Sequence, residues 1–241
     1  MIDPSLERIV PDELDPQDPF DMATLELHRK RYQFAIEHLD PGRLLDIACG
    51  AGYGAYQMIS SEKLADSHCT AVDISPAAIA YARSRYAHPF LQFICTDSMK
   101  FTDIFLYDGI VSLETIEHLP DPVSFISKLI DLLKPGGMLI VSAPVTLSTD
   151  GNPYHLSDFS QRGFRKLFSP YACKEIAHLI QVQPYALKDI FGSRKNKRIV
   201  PKRGGLWKFY MRHPGVFFSR IHAVMKDGFN NKYLTLALRK F

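Results

Sequence analysis

The run Leu44-Leu45-Asp46-Ile47-Ala48-Cys49-Gly50-Ala51-Gly52-Tyr53-Gly54 narrows the possible folds more than any other part of the chain. Apolar residues lead into closely spaced glycines, and a helix-forming stretch follows. That order reads as buried strand, sharp turn and helix, because glycine accepts bends and close approaches that a side chain would block. The unit then repeats. Apolar runs at Leu44 to Ala48, Cys69 to Ile74, Leu91 to Cys95, Gly109 to Leu113 and Met138 to Ala143 read as strands. Between them lie helical stretches to Leu64, from Ser75-Pro76 to Tyr86, and from Pro122 to Leu133. Ser75 before Pro76 marks a helix start, since serine caps the end and proline in the first turn loses no hydrogen bond. The alternation predicts an α/β fold, a mostly parallel sheet with helices on both faces.

A leading helix is expected over Met22 to Leu39, where Leu25, Leu27, Tyr32, Phe34, Ala35 and Leu39 follow helical spacing and Pro41-Gly42 ends the run. After Pro144 the rhythm breaks into an amphipathic piece around Phe159 to Phe168, a strand near Ile176 to Val182, and a closing strand from Tyr233 to Leu238. A chain of 241 residues suits one domain with elaborations. The expected division is an acidic, loose N-terminal arm over 1–21, able to act as a lid, and one domain over 22–241 with a basic insertion at about 184–231.

The net charge of +3 conceals a division. Residues 1–150 hold 11 Lys and Arg against 22 Asp and Glu, a net −11, while residues 151–241 hold 18 against 4, a net +14. A positive field of that size favours an anionic ligand or surface. The longest apolar stretches, such as Met138 to Val145, are too short to span a bilayer, and Met1-Ile2-Asp3-Pro4 lacks the basic start of a secretory leader, so the expected location is the cytoplasm. Cys49, Cys69, Cys95 and Cys173 are scattered without paired spacing, so neither a disulfide framework nor a zinc site is expected, and nothing demands a metal.

Asp73, closing the second strand, is placed to accept hydrogen bonds from vicinal ribose hydroxyls, which with the glycine turn points to a nucleoside cofactor. The turn alone leaves the cofactor open, because Gly50, Gly52 and Ala55 also satisfy the dinucleotide fingerprint of a nicotinamide-dependent oxidoreductase. Asp46 argues against a pyrophosphate, since its charge inside the turn would repel one and attract an ammonium group. Asp97 and Ser98, after the third strand, can meet the edge of an adenine. Three acids at successive strand ends suit a cationic sulfonium nucleoside.

The succession LLDIACGAGYG, AVDIS, CTDS, SLETIEHLPDP and LLKPGGMLIVSAP resembles the class I S-adenosylmethionine-dependent methyltransferases, especially a bacterial branch with an E-x-I-E-H-L-P-D-P segment. The likeness spans roughly residues 28 to 145. It implies a Rossmann-like, mostly parallel seven-stranded sheet, and Tyr233 to Lys240 is similar to the family's final antiparallel strand between strands five and six. It also implies that Asp46, Gly50 and Gly52 hold the methionine end of S-adenosyl-L-methionine, with Ala48 in the same turn. Asp73 would take the ribose, Ile74 one adenine face, Asp97 and Ser98 its edge, and the Leu113 backbone the amino group. His28, Arg31 and Tyr32 resemble an H-x-x-R-Y element whose helix covers the cofactor, so Tyr32 joins the expected contacts; a solvated helix with Tyr32 in the core fits the same residues.

Methyl transfer needs alignment and removal of a proton, so a base beside the methyl group is the feature to find. His118, following Glu117, is the first candidate, and a loop-shaping role is the plainer alternative. Tyr154 and His155, in an N-P-Y-H segment after strand five, are the second, although Ser157 or Asp158 could cap a helix there while His155 faces solvent. Ser193 to Arg198 and Pro201 to Gly205 form a basic cluster that leads into the mixed apolar and basic run Leu206 to Arg212. This segment fits a phosphorylated acceptor, an anionic membrane surface, RNA, or a solvated surface. The expected activity is methylation, on oxygen, of a small-molecule, sugar or glycan acceptor; the rivals are the oxidoreductase and an inactive methyltransferase-like adaptor. The acceptor's identity and the oligomeric state are not encoded in any motif found.

Overall fold

A computed structural model describes residues 8–148, 152, 154–184, 210–228 and 230–241. The strands are β1 (Arg43–Ile47), β2 (His68–Asp73), β3 (Leu91–Cys95), β4 (Tyr107–Ser112), β5 (Leu133–Pro144), β6 (Cys173–Pro184) and β7 (Asn230–Lys240). The helices are α1 (Pro19–His38), α2 (Tyr53–Ile59), α3 (Pro76–Arg85), α4 (Pro122–Leu132), α5 (Gln161–Lys166) and α6 (Pro214–Asp227).

The strands form one seven-stranded sheet in the order β3-β2-β1-β4-β5-β7-β6. β1 to β5 pair in parallel, and β7 runs antiparallel to both β5 and β6. The closing strand therefore lies where the family resemblance implies, and β6 extends the expected strand in both directions.

Alternation along the strands explains the two layers of helices. Leu45, Ile47, Ile110, Leu139 and Val141 point to one core, which also holds Phe125, Ile126 and Leu129 of α4 and Phe164 of α5. Leu44, Val111, Met138 and Ile140 point to the other, with Phe34 of α1, Met58 of α2 and Ile79 of α3. The Ser75 side chain accepts the Ala78 N–H at 3.2 Å and starts α3 as its sequence indicates, a cap whose loss typically costs about 1 kcal/mol.

Helix α1 begins at Pro19, earlier than its apolar spacing indicates, because Asp18 caps it and accepts the Phe20 N–H at 2.9 Å. The described part of the N-terminal arm is packed rather than loose: Val10 and Leu14 are buried, and Asp12 accepts from the Tyr81 hydroxyl at 2.8 Å and from Arg85 at 3.1 Å. Residues 1–7 and the basic clusters Ser193 to Arg198 and Pro201 to Gly205 lie outside the described residues. No helix among the described residues is long and apolar enough to cross a membrane.

Candidate functional site

Parallel strands deliver the loops after β1, β2, β3, β4 and β5 to one edge of the sheet, where α/β folds bind ligands. In the first loop Ala48, Gly50 and Gly52 all take positive φ, at 65°, 58° and 83°. Ala48 is one of two non-glycine residues in that conformation among the described residues, the other being Glu114, so the turn is bent beyond what glycines alone supply.

Asp73 ties this turn to the next. Its carboxylate accepts the Gly50 N–H at 2.9 Å and the Ser75 N–H at 2.8 Å. It also meets Arg8 at 2.6 Å, with both side chains nearly inaccessible. The sequence placed Asp73 at a ribose but gave no sign that Arg8 would be seated on it.

Asp46 is buried and accepts the Tyr32 hydroxyl at 3.1 Å. Burial drives its pKa up to about 7, and the charge of Asp73 adds to this, against the pull of the Tyr32 hydrogen bond. Tyr32 therefore reaches the turn as well as the core. Its ring lies on Gly54, where any Cβ would overlap it.

At the adenine end Ile74 is 53% exposed, and Asp97 accepts the Met99 N–H at 2.8 Å while its carbonyl receives the Lys100 and Phe101 N–H groups. Asp97 thus also caps a turn, with Ser98 half-buried beside it. The Leu113 carbonyl, expected to meet an amino group, receives the Thr115 hydroxyl at 3.0 Å.

Arg31 was noted in the sequence without a role. It is 1% exposed, lies over the Tyr233 ring at 4.5 Å and approaches Glu114 at 3.8 Å. Its Nε and Nη1 have no hydrogen-bond partner within the protein. A guanidinium so enclosed calls for an anion.

The two candidate bases, far apart in sequence, are brought together. The rings of His118 and His155 lie 4.8 Å apart, edge to face. The backbone makes the joint: the N–H groups of Leu156 and Ser157 both donate to the Glu117 carbonyl, at 2.7 and 3.2 Å. His118 Nδ1 lies 3.1 Å from the Tyr154 carbonyl. A carbonyl only accepts, so Nδ1 carries the hydrogen and the neutral ring keeps its lone pair on Nε2. His155 Nδ1 meets the Ser148 hydroxyl at 2.7 Å, and that hydroxyl lies 3.2 Å from Asp158. If Ser148 donates to the carboxylate, His155 donates through Nδ1 and its Nε2 also becomes the basic atom.

Tyr154 contributes its carbonyl to this arrangement. Glu117, His118 and His155 also offer ligand atoms all within 4.8 Å of one another, so the fold assembles a set able to hold a divalent ion that sequence spacing did not reveal.

A methyltransferase-domain family profile matches residues 39–190. The chain belongs to this methyltransferase family. Its sheet and glycine-rich turn are those of the class I S-adenosylmethionine-dependent members, and the nicotinamide alternative is set aside. A Mycolicibacterium smegmatis protein named as an S-adenosylmethionine-dependent methyltransferase is 28% identical over 174 residues, 68% of this chain and 60% of that one. A Xylella fastidiosa ubiquinone biosynthesis O-methyltransferase is 34% identical over 134 residues, 53% of this chain and 51% of that one. The chain thus spans about three fifths and about half of these relatives. The N-methyltransferase NodS of Bradyrhizobium japonicum, solved with S-adenosyl-L-homocysteine, shares the fold with a TM-score of 0.61 at 17% identity, over 93% of this chain and 89% of that one.

Proposed function

We propose that this chain transfers a methyl group from S-adenosylmethionine to an oxygen of a small-molecule, sugar or glycan acceptor, with the His118 and His155 pair receiving the acceptor's proton. When bound, S-adenosylmethionine supplies an electrophilic methyl carbon on a cationic sulfur. The residues present fit such a ligand. Asp73 offers the ribose a carboxylate whose orientation two backbone N–H groups already fix. Arg31, with Nε and Nη1 lacking partners, offers a carboxylate a buried positive charge and N–H donors, and Asp46 offers a negative charge to the ammonium or sulfonium.

The observation that carries the reading is the joining of His118 to His155, each held through Nδ1. Nε2 of His118 can then hold the acceptor's proton while alignment does the rest. The choice of oxygen is supported by relatives named as O-methyltransferases. An anionic acceptor is supported by the net +14 of residues 151–241.

Methyl-transfer assays with labelled S-adenosylmethionine and a panel of hydroxylated acceptors, run on wild type, His118→Ala and His155→Ala, test it. His118→Ala is expected to lower turnover by about 100-fold or more while affinity for S-adenosylhomocysteine stays nearly unchanged. Undiminished turnover removes His118 from the chemistry. Cofactor binding without turnover on any acceptor favours the adaptor alternative, and no binding at all defeats the whole reading.

A second reading has its own observation. The close approach of Glu117, His118 and His155 ligand atoms is compatible with a divalent ion, which would supply Lewis-acid stabilisation of the acceptor oxyanion.

A further inference from the structure

Helix α6 exposes an apolar stripe. Val216, Arg220, Ala223 and Val224 are half-buried along one side of the helix. The opposite side carries Pro214, Phe218, Ile221 and Met225, spaced as one helical stripe. Phe218 is 67% exposed, Ile221 40% and Met225 83%, and Met211 just before the helix is 68% exposed. No charged residue lies on this stripe. The sequence that carries it is rich in positive charge: residues 190–226 contain ten Lys and Arg and no Asp or Glu, with Asp227 closing the helix.

We infer that α6 lies on an anionic bilayer surface, its stripe entering the boundary between headgroups and acyl chains while the positive charge carried by residues 190–226 of the sequence adds electrostatic attraction to the lipid phosphates. Exposed apolar ridges rimmed by polar residues mark contact surfaces, and an apolar ridge within a cationic segment matches the two attractions that hold interfacial helices. A nucleic acid would need cations on the outermost ridge, which here is Phe, Ile and Met. A second copy would bring two strongly positive segments together. The bilayer satisfies both the charge and the apolar surface, and this inference stands independently of the acceptor's identity.

Vesicle flotation of the full chain tests it, using phosphatidylcholine alone and phosphatidylcholine with about one third phosphatidylglycerol, at low and high salt. Wild type is expected to float with anionic vesicles, weakly with neutral ones, and less as salt rises. The double variant Phe218→Ser, Met225→Ser is expected to lose about tenfold or more in partitioning. Unchanged thermal melting and adenosylhomocysteine affinity would show that the variant is folded. Four outcomes overturn the inference: no flotation, equal flotation of wild type and the double variant, binding of RNA but not vesicles, or a lipid-free dimer that the double variant converts to monomer.

Discussion

Arg8 and Asp73 form an ion pair of 2.6 Å, with side chains only 8% and 5% exposed, so the chain's own N-terminal arm occupies the carboxylate proposed for the ribose. The arm is latched a few residues further on, where Asp12 meets Tyr81 and Arg85 on α3. The backbone donors of Gly50 and Ser75 hold Asp73 from other directions and need not move. Arg8 must yield if two ribose hydroxyls are to donate to the same carboxylate.

Arg8→Ala therefore has two opposed effects. Removing one partner of a buried pair should lower apoprotein stability by about 1–3 kcal/mol. Adenosylhomocysteine should bind more tightly, by up to about tenfold, because no ion pair has to be broken first. Thermal melting and calorimetry measure the two separately. Weaker binding in the variant would show that Arg8 stays and helps hold the ligand.

With Asp46 in its proposed place beside the ligand's cation, cofactor binding should depend on pH. Its folded pKa of about 7 lies above the ordinary carboxylate value of 3.8, so between those pH values the native state keeps a proton that the unfolded state has released. The contribution of Asp46 to stability is thus full below pH 4 and is lost as pH rises toward 7. A cationic ligand favours the ionised form, so affinity should rise from pH 6 to pH 8, approaching about tenfold per pH unit at the acid end, with proton release. Calorimetry in buffers of different ionisation enthalpy reads that proton directly. Asp46→Asn should flatten the profile, and an equally steep profile in the variant would assign the effect to another group.

Strand-and-turn patterning in the sequence located the central elements because parallel strands buried on both faces are continuous apolar runs, as in β4 and β5. The ends of β6 were less legible, since an edge strand alternates exposed Ile176, Ile180 and Val182 with half-buried neighbours and with the buried polar Gln181 and Gln183. Asp46 and Asp73 could be picked out because they lie in the last two residues of β1 and β2, and His118 because it follows β4. Arg8 could not, because an ion pair across 65 residues leaves no local periodicity. The contact of His118 with His155 was likewise hidden until two backbone hydrogen bonds to Glu117 folded the later loop over the earlier one. Arg31 had a local signal in its H-x-x-R-Y setting, but its burial depends on Tyr233 arriving from β7.

The glycine turn offers a comparison of steric causes. A Cβ at Gly52 would lie 2.7 Å from Ala82 Cβ and from the Phe93 ring, at a φ of 83°. Gly136 has a similar φ of 79° but no heavy atom within 4 Å of a Cβ. Gly136→Ala should therefore cost only backbone strain, about 1–2 kcal/mol, whereas Gly52→Ala adds overlap and should cost about 2–4 kcal/mol. Denaturant unfolding of both variants gives the difference, and equal losses would mean that Phe93 and α3 accommodate the extra methyl group.

The histidine pair can act by taking a proton or by holding an ion, and Glu117 separates the two. If Nε2 of His118 accepts the proton, the Glu117 carboxylate serves the site from the side, at 3.9 Å, while its backbone carbonyl does the joining. Glu117→Gln keeps that carbonyl and nearly the same volume. Turnover should then fall by less than about tenfold, and chelation with EDTA should leave wild type active. If an ion is bound instead, Glu117→Gln removes an anionic ligand, EDTA abolishes turnover, and added Mg²⁺ or Mn²⁺ restores it. The readout that excludes simple structural damage is adenosylhomocysteine affinity, which neither treatment should change, because the ligand atoms of the pair lie after β4 and β5 while the carboxylates proposed to face the nucleoside belong to β1 and β2. Loss of activity to EDTA with full recovery on adding the ion would move His118 from proton acceptor to metal ligand.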